Sequence, residues 1–114
     1  MNPEAKDKWI EALRSKKYRQ GFGRLISMDK DGVCYCAQGV LCLALGLEIR
    51  SMTEKDGRVV SGFLFNGEVK SLGLGMALKD SLDLDESQTH RIVEMNDGMQ
   101  YNFDSIADEI EAKF

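Results

Sequence analysis

Apolar positions near the start of the chain recur at helical spacing. Trp9 and Leu13 fall on one side of a helix, and charged residues occupy most of the remaining positions. Asn2 is a good N-cap, and Pro3 suits the first turn of a helix because its missing N–H would have no intrahelical partner there. The pattern predicts an amphipathic helix over residues 3–17.

The segment after this helix contains two glycines and a short apolar run. Gly21 and Gly23 are expected to end the helix, since glycine is the residue most often found just past a helix end. Residues 25–28 are predicted to form a brief strand. Residues 29–32 have the composition of a turn.

Residues 31–46 are the densest apolar run of the chain, and they hold all three cysteines. Such a segment must be buried, because apolar side chains occur on nearly every side of it. The spacing favours a helix over 37–45 that ends at Gly46, although Gly39 weakens the helical pattern. A buried strand is the alternative.

The middle of the chain changes to residues that favour strands. Asn66 and Gly67 tolerate positive φ, and this dipeptide is typical of a two-residue hairpin turn. We therefore expect residues 59–65 and 68–72 to pair as antiparallel strands. Residues 47–52 are expected to add a third strand.

Two further helices are predicted near the C-terminus. Residues 83–95 have helical character with Asp85 as the cap, and residues 96–98 are expected to stop this helix. Asn102 is expected to cap the last helix, whose apolar residues repeat at intervals of three and four positions.

These elements together predict an α+β fold. The N- and C-terminal helices are expected to pack with the buried Cys-rich helix and with a small antiparallel sheet, in one domain over residues 1–114. A hydrophobic fraction of 43% and a charged fraction of 30% are those of a folded soluble protein. A second copy of the chain is one candidate to cover the hairpin, so a homo-oligomer stays open.

The sequence also indicates where in the cell the protein is expected. No run approaches the about 20 apolar residues that a membrane-spanning helix needs, and the N-terminus lacks the basic start and apolar core of a signal peptide. Three cysteines are an odd number, which does not suit the disulfide framework of a secreted domain. We therefore expect a cytoplasmic protein with reduced thiols and no contact with membranes.

Metal binding and thiol catalysis are the two chemistries that the cysteines suggest. Cys34, Cys36 and Cys42 lack zinc-knuckle spacing, and His90, the only histidine, lies far along the chain. A nucleophilic cysteine would need a depressed thiol pKa and a close imidazole, which nothing in the sequence indicates. We favour buried free cysteines, and we expect no metal, no cofactor and no enzymatic activity.

Basic residues cluster after the first helix, although the chain has a net charge of −4. In this basic segment, residues 14–24, Lys17, Arg19 and Arg24 suit phosphate binding, and Tyr18 or Phe22 suits stacking on a base. An ordinary solvated helix end is the alternative interpretation.

Acidic residues dominate the other end of the chain, where residues 80–114 hold ten acids against two bases. On the last predicted helix, Asp104, Asp108 and Glu111 form an acidic helix face. Such a face suits a basic protein partner or mimicry of nucleic-acid charge, and it argues against direct DNA binding.

Three blocks of sequence carry a resemblance to a known family. They are KWIEALRSKKYRQ over 8–20, CYCAQGVLC over 34–42, and MNDG over 95–98 together with FDSIA over 103–107. With these blocks the chain resembles a family of small, functionally uncharacterised phage and prophage proteins. Its relatives tend to show Tyr-Cys-Cys-Leu-Gly-Val-Leu-Cys in the second block, so the cysteine pair is displaced here, which weighs against a shared metal role.

The resemblance implies a small accessory protein that acts by binding in the cytoplasm of a host cell. The leading hypothesis is a non-enzymatic domain that binds a host protein, and thereby inhibits a host defence factor, through the acidic helix face or the basic segment. The alternative is a small-ligand binder that sequesters an anionic nucleotide signal. It would use Lys17, Arg19 and Arg24 for phosphates and Tyr18 or Phe22 for stacking.

Overall fold

The structure, a computed structural model, describes residues 1–65, 67–70 and 82–114. In chain order the elements of the described residues are α1 (Pro3–Arg14), β1 (Ile26–Asp29), β2 (Gly32–Tyr35), α2 (Ala37–Ala44), β3 (Ile49–Thr53), β4 (Val59–Phe65), β5 (Glu68–Lys70), α3 (Glu86–Val93), a π-helical turn (Glu94–Gly98) and α4 (Phe103–Lys113). Strands β1 and β2 form a two-stranded antiparallel sheet, and β3, β4 and β5 form a three-stranded antiparallel sheet in that order. The predicted α+β class is confirmed.

Helix α1 begins as predicted and ends earlier than predicted. The Asn2 side chain accepts hydrogen bonds from the backbone N–H groups of Glu4 and Ala5, which satisfies two of the free donors at the helix start. The predicted end at Lys17 is wrong. Lys16 adopts a left-handed backbone conformation with φ of 65°, which breaks the helix after Arg14.

The prediction that Gly21 and Gly23 end this helix is also wrong. Residues 19–21 have left the helix and lie beside β2, where the N–H of Tyr35 donates to the Arg19 carbonyl and the N–H of Gly21 donates to the Tyr35 carbonyl. This pairing with a distant strand requires an extended backbone, and it therefore overrides the local helical pattern.

The Cys-rich run is divided between a strand and a helix. Its first part belongs to β2, and the predicted helix then follows as α2, with Leu45 as its C-cap and Gly46 in the left-handed conformation at φ of 75°. Gly39 is the point of closest approach in this helix. A Cβ atom there would lie 2.1 Å from the carbonyl oxygen of Leu25, so only glycine fits.

The strands largely follow the prediction. The short strand expected over 25–28 is observed as β1, and the third strand expected over 47–52 is observed as β3. Strands β4 and β5 pair with Phe65 opposite Glu68. Asn66 of the predicted turn, and residues 71–72 of the predicted strand, lie outside the described residues.

The C-terminal helices are capped by the residues expected to cap them. Asp85 and Gln88 form a capping box at the start of α3, and Asn102 accepts a hydrogen bond from the Ser105 N–H at the start of α4. The prediction that residues 96–98 stop the earlier helix is wrong, since α3 continues into the π-helical turn that contains them.

Trp9 joins three helices in the core. Its indole N–H donates to the carbonyl of Ala37 at 2.9 Å, which ties α1 to the start of α2. Its ring meets the ring of Phe114 edge-on, with centroids 6.3 Å apart, beside the end of α4. Phe63 of β4 is also fully buried in this core. None of the described helices has the length and hydropathy to cross a membrane.

Candidate functional site

The basic segment and the acidic helix face meet each other within the molecule. The Arg14 guanidinium donates to Asp108 at 2.7 Å and to Glu111 at 2.9 Å, and Lys16 pairs with Asp104. The hydrogen bond with Glu111, followed by that with Asp108, raises the pKa of Arg14. All three predicted residues of the acidic helix face therefore pair with cations of the same chain, which partly neutralises this exposed surface.

Two further predicted residues are also engaged. Arg19 pairs with Asp29 at 2.6 Å, and this hydrogen bond holds the pKa of the Asp29 carboxyl below its usual value. The ring of Tyr18 packs edge-on against Tyr35, with centroids 5.7 Å apart. Tyr18 is therefore half-buried and offers only part of its ring for stacking.

The remaining predicted residues stay open to solvent. Phe22 is 47% exposed, and Lys17 and Arg24 are exposed cations that form no ion pair with any residue in the described part of the chain. The structure thus divides the predicted site. It leaves Lys17, Phe22 and Arg24 accessible, and it places the others in internal contacts.

Asn96 is a central buried residue that the sequence did not reveal. Its side chain is 1% exposed, and its oxygen accepts hydrogen bonds from the Gln20 side chain and from the N–H of Ala37. Its amide nitrogen donates to the Gly21 carbonyl and to the Asp97 carboxylate. Both acceptor positions and both donor hydrogens of the amide are used. The local sequence indicates a helix end, and nothing in it signals burial.

The same network fixes the loop that precedes β1. Asp97 accepts a hydrogen bond from the N–H of Gly23 at 2.9 Å, and the Gln20 side chain also donates to the Tyr101 carbonyl at 2.6 Å. The loop is thus attached on both sides of Phe22. An exposed side chain on a fixed backbone loses little backbone freedom when it binds a partner.

The three cysteines are free and buried. Burial raises the pKa of Cys36 to about 11, and burial, together with the negative charge that Cys36 can carry, raises the pKa of Cys42 to about 12. Both thiols are neutral at physiological pH. Among the described residues, no group of three or more His, Cys, Asp or Glu side chains is placed to hold a metal ion.

The two raised thiol pKa values predict a loss of stability in alkaline solution. Each thiol ionises near pH 9.0 in the unfolded chain and at a higher pH in the folded protein. Below pH 9.0 the thiol is neutral in both states, and its contribution to the stability of the fold is complete. This contribution is lost as the pH rises through about 11 and 12. Urea unfolding from pH 7 to pH 10.5 should show it, with a slope of up to about 1.4 kcal/mol per pH unit for each thiol.

Lysine and tyrosine residues titrate in the same range, so the comparison needs a variant. The double variant Cys36→Ala, Cys42→Ala should lose less stability than the wild type between pH 9 and pH 10.5. Parallel pH dependences for the two proteins would show that the thiols make no such contribution.

An exposed apolar patch lies on the sheet formed by β1 and β2. Met28 and Val33 face each other across the strands, with side chains on one face of the sheet, and they are 77% and 40% exposed. Tyr35 lies on the same face by strand alternation, with Tyr18 against it. We call these four residues the hairpin patch. Among the large apolar side chains whose exposure the structure describes, Met28 is the most exposed.

The structure defines a small α+β domain in which packed helices support a two-stranded hairpin with an exposed apolar face. Residues 1–72, which include the whole hairpin patch, match the family described as "Domain of unknown function (DUF8296)". The chain belongs to this family. Comparisons with curated proteins and with solved structures find no match.

Proposed function

We propose that this protein is a non-enzymatic accessory protein, of the phage type that its sequence resembles, and that it binds a host protein through the hairpin patch. The exposure of Met28 and Val33 side by side on one sheet face is the observation that carries this proposal. Methionine and tyrosine are enriched in the centres of protein interfaces, and adjacent exposed apolar side chains gain free energy when a partner covers them.

The charges beside the patch favour a partner with acidic groups around its contact surface. Lys17 precedes Tyr18, and Lys30 occupies the turn between β1 and β2. Neither lysine forms an ion pair within the part of the chain that the structure describes. Asp29 and Asp31 of the hairpin are paired with Arg19, so Lys17 and Lys30 are the charges beside the patch that remain for carboxylates of a partner.

The acidic helix face supports the proposal less well than the hairpin patch does. Its carboxylates already bind Arg14 and Lys16, and a basic partner would have to displace these cations. Inhibition of a host defence factor is the consequence that we propose for binding, because a partner whose surface is covered by the hairpin loses access to its own ligands.

A matched pair of valine variants tests this proposal. Val33 of the patch is 40% exposed and Val93 of α3 is 41% exposed, so Val33→Asp and Val93→Asp place the same charge at equally exposed positions. Immobilised wild-type protein and the Val93→Asp variant should capture the same host protein from lysate. Val33→Asp should reduce this capture about tenfold or more, because the new carboxylate would be buried without a cation and would repel the acidic groups of the partner.

Both variants should keep the melting temperature of the wild type within a few degrees, because both positions face solvent. Capture that is equal for the two variants, or that both variants reduce equally, would contradict the hairpin patch as the binding surface.

Binding of an anionic nucleotide is supported less well. Two of the five residues predicted for it are already engaged, Arg19 by Asp29 and Tyr18 by Tyr35. Lys17, Phe22 and Arg24 remain accessible for a phosphate and a base. The protein partner is therefore the function that the geometry supports best.

A further inference from the structure

The hydrogen bonds of Tyr35 establish which way the backbone of β1 faces. The N–H of Tyr35 donates to Arg19 and its carbonyl accepts from Gly21, so both groups point away from β1. Tyr35 lies opposite Ile26, and this pair therefore exchanges no backbone hydrogen bonds. Hydrogen-bonded and non-hydrogen-bonded pairs alternate along an antiparallel ladder.

By this alternation, Met28 opposite Val33 is also a non-hydrogen-bonded pair. The N–H and the carbonyl of Met28 therefore point away from β2, toward the outer edge of β1. The backbone of the described residues offers Met28 no partner on that side. The outer edge of β2 is instead covered by residues 19–21, so within the described part of the chain the hairpin has one open edge, at Met28, and one closed edge.

Exposure along β1 locates the open part of this edge. Ile26 is half-buried at the start of the strand, whereas Met28 is 77% exposed. An unpaired edge with an exposed apolar side chain is a template for the addition of another strand. Many proteins prevent such addition by a proline or a free charge in the edge strand. Strand β1 has no proline, and its one charged side chain, Asp29, is paired with Arg19.

Building on the proposed function, we propose that the host partner contributes an extended acidic peptide segment, which pairs with the outer edge of β1. The peptide residue opposite Met28 would exchange two backbone hydrogen bonds with it in the antiparallel orientation. Arg24 and Lys30 lie on either side of β1, a strand about 13 Å long. Both are exposed cations without an ion pair among the described residues, so carboxylates of the peptide would neutralise them.

The same charges oppose pairing with a second copy of the chain. Two β1 edges in antiparallel register would bring Arg24 of one copy toward Lys30 of the other at both ends of the contact. Like charges facing each other across strands destabilise the pairing. An acidic segment of another protein is therefore the occupant that the charges favour.

Two variants at position 28 separate the contribution of the Met28 backbone N–H to peptide binding from that of its side chain. Met28→Pro removes the outward N–H and keeps an apolar side chain, and a proline is tolerated at an edge position whose N–H faces solvent. Met28→Ala removes most of the side chain and keeps the N–H. The probe is a displayed library of random octapeptides selected on the wild-type protein, followed by affinity measurement with a synthetic copy of the enriched peptide.

We expect the enriched peptides to carry Asp or Glu on both sides of an apolar residue. The Met28→Pro variant should bind the synthetic peptide about tenfold or more weakly than the Met28→Ala variant does. Saturating peptide should also slow hydrogen exchange at the Met28 amide of the wild type. This measurement needs no variant, so it tests strand addition at β1 even if Met28→Pro does not fold.

Absence of an enriched peptide, equal affinities for the two variants, or unchanged exchange at the Met28 amide would overturn strand addition. The lysate assay separates this failure from failure of the proposed function. Capture that Val33→Asp abolishes but Met28→Pro leaves intact would keep the hairpin patch as the binding surface and exclude strand addition. Capture that is indifferent to Val33→Asp would exclude the patch itself.

Discussion

Replacing Asn96 by leucine is expected to destabilise the protein by about 3 kcal/mol or more. The substitution fills a similar volume, but it leaves the N–H of Ala37 and the carbonyl of Gly21 without their buried partner. The side chain of Gln20 also loses one of its two acceptors. Each buried polar group left unpaired costs about 1–3 kcal/mol, and this network contains several.

Urea unfolding followed by circular dichroism measures this loss, and Asn102→Leu is the matched control. Asn102 is an exposed asparagine whose side chain caps α4 through a single hydrogen bond with Ser105. The loss of a cap typically costs about 1 kcal/mol. Equal losses for the two variants would mean that the buried network of Asn96 contributes no more than a surface cap.

The second large effect is expected for Gly39→Ala. A Cβ atom at this position would lie 2.1 Å from the oxygen and 3.0 Å from the carbon of the Leu25 carbonyl, well inside van der Waals contact. These atoms belong to the backbone, so no side-chain rotation relieves the overlap, and α2 must move away from Leu25. We expect a loss of about 3 kcal/mol or more, although alanine is intrinsically the better helix former by about 1 kcal/mol.

Gly98→Ala provides the control for this substitution. A Cβ atom at Gly98 would meet only the side chain of Glu94 at 3.8 Å, which is an ordinary contact. Its effect on the free energy of unfolding should stay within about 1 kcal/mol. If the two glycine variants were equally stable, the close approach between α2 and Leu25 would be without energetic consequence.

Features that depend on neighbouring residues could be predicted from the sequence. The caps at Asn2, Asp85 and Asn102 are examples, because a cap forms between a side chain and backbone groups two or three positions away. The helix over the Cys-rich run was also predictable, since its end at Gly46 has a local signature.

Features that depend on distant residues could not be predicted. Asn96 occurs in a stretch with the composition of a helix end, and only the positions of Gly21 and Ala37 in space make it a buried residue. Gly39 weakened the helical pattern in the sequence, whereas in the fold it permits the contact with Leu25. The low helix propensity of glycine is visible in the sequence, but the need for glycine at position 39 arises only from the packing of α2 against Leu25.

The candidate site shows the same division. The sequence identified a basic segment and an acidic helix face as separate surfaces, yet 94 positions separate Arg14 from Asp108 and the fold places them 2.7 Å apart. The alternation of exposed and buried side chains in β1 and β2 was too short to be recognised in the sequence. The hairpin patch therefore becomes apparent only when the register of Met28 and Val33 is known.

The packing of α1 against α4 has a consequence for the order of events during folding. Trp9 and Phe114 meet in the core although roughly a hundred positions separate them in the chain. Helix α2 can pack against α1 through Ala37 earlier, but the side of Trp9 that faces α4 stays uncovered until this distant contact forms. Contacts of such long sequence separation slow folding, and intermediates that expose apolar surface are prone to aggregate. The docking of α4 on α1 is therefore expected to be a late step of folding.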